Sequence, residues 1–157
     1  GVQTCALPIS GCDFAETLRG RGGVLEACLA RGRLEAARWL LDQGVAVHQD
    51  SLQIGAAHLD ALLAERLLRL GAISDPNTVL LALQYGDADA ARIMARPLLE
   101  ESPARASALR LALASRAERE RSDARRVRSG KMGSNRSPDD YLALAERLER
   151  FLAELPG

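Results

Sequence analysis

One helix–turn–helix pattern occurs three times in this chain without gaps, and it constrains the fold more than any other feature. The copies occupy residues 24–44, 51–71 and 78–98. Gly44 and Gly71 stand 27 residues apart, and the same interval separates Ala37, Ala64 and Ala91. A constant period in this range is typical of stacked units that share one apolar core. The pattern therefore predicts an all-α fold, an α-solenoid of stacked helix pairs whose small residues let neighbouring helices approach closely.

Each unit divides into a short apolar helix (helix A), a turn and an amphipathic helix (helix B). We expect the pairs to span about 24–43, 52–70 and 78–96, followed by helices near 104–120 and 138–155, with no further copy after Pro103. Gly32 and Gly86 should end helix A in the left-handed conformation, as Gly44 and Gly71 should end helix B. Pro97 lies where the third helix B should continue, so that helix should kink or end near Arg96.

Composition agrees with an all-α protein whose core is aliphatic. Hydrophobic residues make up 47% of the chain and aromatic residues only 3%, and the abundant Leu and Ala are strong helix formers. The 21 basic and 21 acidic residues cancel, so no net field draws the chain to nucleic acid or membrane. No apolar run reaches the roughly 18–20 residues of a membrane span. The 3 cysteines lack C-x-x-C spacing, which favours free thiols and a cytoplasmic, reducing compartment.

Four segments are expected along the chain. The first nine residues, GVQTCALPI, resemble a translated sequencing adapter, so residues 1–23 should be non-native or disordered and the native N-terminus missing. Residues 24–121 should form the helical-repeat domain of a protein whose Ala/Leu/Arg-rich composition suits a bacterial gene. Residues 122–137 are basic, polar and Gly/Ser-rich, which is typical of a flexible linker. Residues 138–157 should form a separate amphipathic helix.

That C-terminal helix has clear start signals and one apolar face. Ser137 can cap it, Pro138 suits its first turn, and Asp140 completes a capping-box pattern. Its apolar stripe consists of Tyr141, Leu144, Leu148, Phe151 and Leu155. We expect the helix to fold back and close the last repeat in a monomer, with pairing to a second chain as the alternative.

The segment GRLEAARWLLDQG at 32–44 resembles the second half of an ankyrin repeat, and GDADAARIM at 86–94 resembles another copy. Residues 56–60, AAHLD, are similar to the ankyrin turn with residues missing. The likeness covers 24–98, but the T-P-L-H opening is absent and the period is 27 rather than about 33. The resemblance implies a degenerate ankyrin-like protein with an interaction role.

The predicted function is that of a non-catalytic protein–protein interaction module, because helical repeats present extended binding surfaces. We place partner contacts in the loops between units and at the end of the third helix A, on Val47, His48, Asp50, Ser74, Asp75, Asn77, Gln84 and Tyr85. The sequence does not indicate which protein is the partner.

The sequence contains no recognisable catalytic, metal or cofactor motif. His58 lies in the turn between helices and is expected to be structural, and His48 to be solvated or in contact with a partner. Cys28 lies on an apolar helix face, where it is expected to be a small buried residue. We therefore expect no enzyme activity, no metal and no cofactor.

A basic stretch provides an alternative function. Residues 116–136 carry eight Lys or Arg against three acidic residues, and Arg125, Arg126 and Arg128 are its densest part. Such a run could contact nucleic-acid phosphates. It has no aromatic side chain for base stacking, so a solvated linker is the favoured interpretation.

Overall fold

The structure, a computed structural model, describes residues 23–156 and consists of helices and their connections. The eight helices are α1 (Val24–Ala30), α2 (Leu34–Asp42), α3 (Ser51–Gly55), α4 (Ala61–Arg69), α5 (Pro76–Tyr85), α6 (Ala88–Glu101), α7 (Pro103–Arg128) and α8 (Pro138–Glu154). No β-strand occurs in this range, so the all-α prediction is confirmed. The prediction for residues 1–22 lies outside the described residues.

The three repeated segments form the helix pairs α1–α2, α3–α4 and α5–α6. The first helices pack on one another along the chain, α1 on α3 and α3 on α5, and α4 packs on α6. Ala37, Ala64 and Ala91, which share one position of the repeat, have no exposed surface. This burial agrees with the small residue predicted at that position of helix B.

Helix α7 packs on α5 and begins 27 residues after it, a continuation of the period that was not predicted from the sequence. Its N-cap Ser102 and following Pro103 lie 27 residues after Asp75 and Pro76, which begin α5 in the same way. Arg105 at the start of α7 donates to the carbonyl of Ser74, and Arg116 further along donates to Gln84 near the end of α5. Because the contacts advance in the same direction on both helices, α7 lies parallel to α5.

The prediction of a flexible linker over 122–137 is wrong for its first half, because α7 continues to Arg128. Ala117 and Ala124, seven residues apart, are both nearly fully buried and continue the apolar face of α7 through this polar stretch. A seven-residue interval is two helical turns, so both alanines lie on one face. Only residues 129–137 remain as a connection.

Helix α8 folds back along α7 in the opposite direction. Arg128 lies near Asp139, and Arg121 bonds Glu149, so residues that are later in α8 meet earlier ones in α7. The apolar stripe from Tyr141 to Phe151 is buried within the chain. The predicted capping box of Ser137 and Asp140 is present.

The structure contradicts the left-handed helix end predicted at Gly86 and, of the two outcomes predicted at Pro97, the end of the helix. Gly32 is left-handed with φ of 66°, as expected, but Gly86 has φ of −116°. A side chain at Gly86 would lie 2.7 Å from the carbonyl oxygen of Ala56, so this glycine allows close contact with the preceding unit. Helix α6 runs through Pro97 to Glu101, because proline removes one hydrogen bond while Leu98 and its neighbours remain buried.

None of the helices in residues 23–156 is both long and apolar enough to cross a membrane.

Candidate functional site

The two loops between repeated units lie side by side. The backbone N–H of Ile73 donates to the carbonyl of Gln49 over 2.8 Å, which joins the second loop to the first. We call residues 45–50 and 72–77 together the loop surface. Ile73 is 52% exposed and Val45 is 36% exposed, so part of this surface is apolar.

The predicted contact residues of the first loop are accessible to different degrees. Val47 is half-buried against the core, whereas His48 and Asp50 are exposed. The His48 Nδ1 atom lies 3.6 Å from an Asp50 carboxylate oxygen. The backbone N–H of His48 donates to the Ser51 hydroxyl. These short-range bonds define the loop conformation and leave both side chains open to solvent.

The second loop corrects two of the predicted contacts. Ser74 is 3% exposed and cannot form part of an open surface. Asp75 is half-buried and caps α5, because its carboxylate accepts the backbone N–H of Thr78 over 2.7 Å. Asn77 is exposed. An Asp-Pro pair before an apolar run is a helix-start signal, and this signal was present in the sequence.

The prediction that Gln84 and Tyr85 extend the contact surface of the loops is wrong. They end α5, whereas Asn77 lies in its first turn, so roughly 12 Å of helix separates the two places at about 1.5 Å per residue. Tyr85 is 64% exposed, and its hydroxyl accepts a hydrogen bond from Gln84. The predicted contact residues therefore belong to two surfaces at opposite ends of the helix pairs.

Tyr85 lies on a groove between α8 and the turn that joins α5 to α6. The groove has two adjoining recesses of about 330 and 260 Å³ that share Arg147. The first is lined by Leu83, Gly86, Asp87, Ala88, Arg92, Arg147, Arg150, Phe151 and Glu154, and the second by Gln84, Tyr85, Arg136, Asp140, Ala143, Leu144 and Arg147. We call it the Arg147 groove.

Arg147 is held by the end of α5. One guanidinium nitrogen donates to the Leu83 carbonyl over 2.9 Å, at the helix end where carbonyl groups lack backbone partners. A positive charge is also favourable there because the C-terminus of a helix carries partial negative charge. Arg147 is not among the contact residues predicted from the sequence, and nothing local in the sequence connects it to Leu83.

A buried ion network lies beside the groove. Glu120 is 2% exposed, and its carboxylate binds Arg116 over 2.7 Å and Arg136 over 3.1 Å. The Arg136 guanidinium also lies 4.0 Å from the centre of the Tyr141 ring. Because Arg116 also bonds Gln84, the network connects α5, α7, the connection before α8 and α8 itself. The i, i+4 spacing of Arg116 and Glu120 was visible in the sequence, but the burial was not.

The three arginines of the nucleic-acid alternative are exposed, and each lies near an acidic side chain. Arg125 bonds Glu118 over 3.1 Å, Arg126 lies 3.6 Å from Asp123, and Arg128 lies 3.5 Å from Asp139. Glu118 and Asp123 belong to the three acidic residues already counted in 116–136, so Asp139 is the one additional negative charge that these pairs bring.

The residues considered for chemistry occupy ordinary positions. His58 is exposed and its ring stands against Gly32, where an added Cβ would lie 3.1 Å from the ring. Cys28 is a free thiol, partly rather than fully buried against the core. Within residues 23–156, no group of three or more His, Cys, Asp or Glu side chains could hold a metal ion.

Comparison with known proteins gives no match to this chain among family models, curated proteins or solved structures.

Proposed function

We propose that this chain is a non-catalytic protein–protein interaction module of the helical-repeat type, with stacked helix pairs of ankyrin-like character. The order of packing supports a solenoid, since first helices pack on first helices (α1 on α3, α3 on α5) and the second helix α4 packs on the second helix α6. The parallel course of α5 and α7 supports it further, because a fourth first helix would take this place. The free thiol of Cys28 is compatible with a cytoplasmic location.

The observation that carries this proposal is the backbone hydrogen bond from Ile73 to Gln49. It places the two loops next to each other, so that residues far apart in sequence form one surface. Half-exposed Ile73 lies on that surface with the polar side chains of His48, Asp50 and Asn77. An apolar residue surrounded by polar ones is the usual composition of a protein-binding patch.

Affinity capture with a loop variant tests the proposal. The variant Asp50→Lys/Ile73→Ser reverses one charge and removes one apolar contact without touching a fully buried side chain. We expect the purified chain to capture a reproducible set of proteins from a lysate of its native host, and the loop variant to lose at least part of that set. Circular dichroism and thermal melting should show that the variant remains folded.

A matched control makes the same chemical changes elsewhere. Asp139 is largely exposed at the start of α8, and Leu62 is 77% exposed at the start of α4, the end that faces away from the loops. The variant Leu62→Ser/Asp139→Lys should capture the same proteins as the unmodified chain. Equal recovery of every protein by both variants would refute the assignment to the loop surface.

A further inference from the structure

The charges of the Arg147 groove are unevenly matched. Its three acidic residues are occupied by other parts of the chain: Asp87 caps α6, Asp140 belongs to the capping box of α8, and Glu154 binds Arg92 over 2.6 Å. The hydrogen bond that Arg92 donates to Glu154 also raises the pKa of Arg92 above its ordinary value. The carboxylates that line the groove therefore already have partners.

Two of its arginines differ from most arginines of the chain. Most arginines in residues 23–156 lie within ion-pair distance of a carboxylate, but Arg147 and Arg150 do not. Arg147 uses one of its five donors on the Leu83 carbonyl. Its guanidinium is thereby positioned while most of its donors stay free. Arg150 is exposed one helical turn further along the same helix.

One exposed aromatic ring accompanies these charges. The lining residues Leu83, Leu144 and Phe151 are buried, whereas Tyr85 is 64% exposed at the edge of the groove. Tyr and Arg are the side chains that most often dominate the binding energy of protein interfaces. A guanidinium can bind a carboxylate through two parallel hydrogen bonds.

We propose that the Arg147 groove binds an acidic segment of a partner protein, with Arg147 and Arg150 contacting its carboxylates and Tyr85 packing on an adjacent apolar side chain. The proposal rests on the proposed function, since the occupant is a protein, but it uses a different surface from the loops. Only two arginines of the groove lack a carboxylate partner within residues 23–156, which suits the one or two acids of a peptide better than the many phosphates of a nucleic acid. A peptide can place one or two acids at the free arginines and neutral residues elsewhere.

Selection from a random nonapeptide display library on the full chain tests this inference. We expect the selected peptides to carry Asp or Glu next to an apolar residue. A synthetic peptide from the selection should lose affinity when its acids are replaced by Asn or Gln, as measured by fluorescence anisotropy.

Variants of the chain then locate the binding site. Removal of one charge-assisted contact in Arg150→Gln should weaken binding by about fivefold to tenfold. Arg69→Gln is the matched control, since Arg69 is also exposed near the end of a helix, forms no ion pair in the described part of the chain and lies at the loop end of α4. This control should leave the affinity unchanged. Arg147→Lys, which retains the charge but not the fork of donors, should weaken binding less than Arg147→Gln, and thermal melting checks that each variant is folded.

Several results would overturn the inference, and they differ from a failure of the proposed function. Selected peptides without acidic enrichment, or equal affinities of the Arg69 and Arg150 variants, would remove the acidic-segment site. Binding that is lost in Asp50→Lys/Ile73→Ser instead would move the site to the loops and leave the interaction function intact. The oligonucleotide dT15 should bind poorly. If dT15 binds tightly and its affinity decreases in Arg150→Gln, the groove is a polyanion site and the acidic-peptide proposal is refuted.

Discussion

The buried carboxylate of Glu120 gives the sharpest test of how the C-terminal half is held together. Glu120→Gln retains the size of the side chain and removes its negative charge. Arg116 and Arg136 bind different oxygens of the carboxylate, so one of them would face the NH2 group of the amide, which cannot accept its hydrogen bond. Both arginines are anchored by other contacts, to Gln84 and to the Tyr141 ring, so neither can turn freely into water.

The expected loss follows from the burial of each partner. Breaking a buried ion pair by removing one charge costs about 3–5 kcal/mol in the free energy of unfolding. The two arginine side chains are 29% and 36% exposed, so water solvates them in part and lowers the penalty. We therefore expect Glu120→Gln to lower the free energy of unfolding by roughly 2–4 kcal/mol.

Urea unfolding followed by circular dichroism measures this loss. With a slope of about 2 kcal/mol per molar urea, a loss of 3 kcal/mol moves the midpoint down by roughly 1.5 M. Glu118→Gln is the control on the same helix, because Glu118 also pairs with an arginine but its side chain is 69% exposed. This control should cost at most about 1 kcal/mol. Equal midpoints for the two variants would refute the assignment of an energetic role to the buried network.

Three further changes have definite expected outcomes. Gly86→Ala should lower the free energy of unfolding by about 1–3 kcal/mol through its clash with a backbone carbonyl, while Gly133→Ala, where a side chain meets nothing within 4 Å, should be close to neutral in the same urea assay. The hydrogen bond from the Ser137 hydroxyl lowers the pKa of Asp140, so its stabilising effect is present above the ordinary value near 3.8 and is lost as pH falls through the lowered one. Asp140→Ala should reduce the dependence of the melting temperature on pH below about 4, and an unaltered acid profile would count against this role. Deletion of 138–157 should lower the melting temperature and leave the molecular mass in solution that of one chain, whereas a dimer that dissociates on deletion would favour pairing between chains.

The sequence predicted the fold class and the repeated helix pairs because those depend on local signals. Apolar spacing, capping residues and the alanines at one repeat position each act within a few residues, and the structure agrees with them. The fourth step of the period was also present in Ser102 and Pro103, which match Asp75 and Pro76 at an interval of 27 residues. The helix caps mark this step, whereas the glycine that ends each earlier unit does not recur there, since Leu98 stands 27 residues after Gly71.

The errors arise where long-range packing overrides local composition. Residues 122–128 are polar enough for a linker, but the helix continues through them because Ala124 is buried on its apolar face. Gly86 was expected to be left-handed, whereas the approach of the Ala56 carbonyl requires a glycine there for lack of space. The course of α8 brings Arg147 to Leu83, 64 residues away, and no local pattern specifies that contact.

Helix α8 links stability to the candidate groove, because adjacent residues of one helix serve the two roles. Leu148 and Phe151 are buried, and Phe151 lines the Arg147 groove together with Arg147 and Arg150. A substitution of the buried face therefore displaces the arginines as well, and loss of binding in such a variant would not locate a contact. Arg150 is exposed and forms no ion pair within residues 23–156, so its removal leaves the buried contacts of α8 in place. Loss of affinity at an unchanged melting temperature in Arg150→Gln would separate recognition from folding.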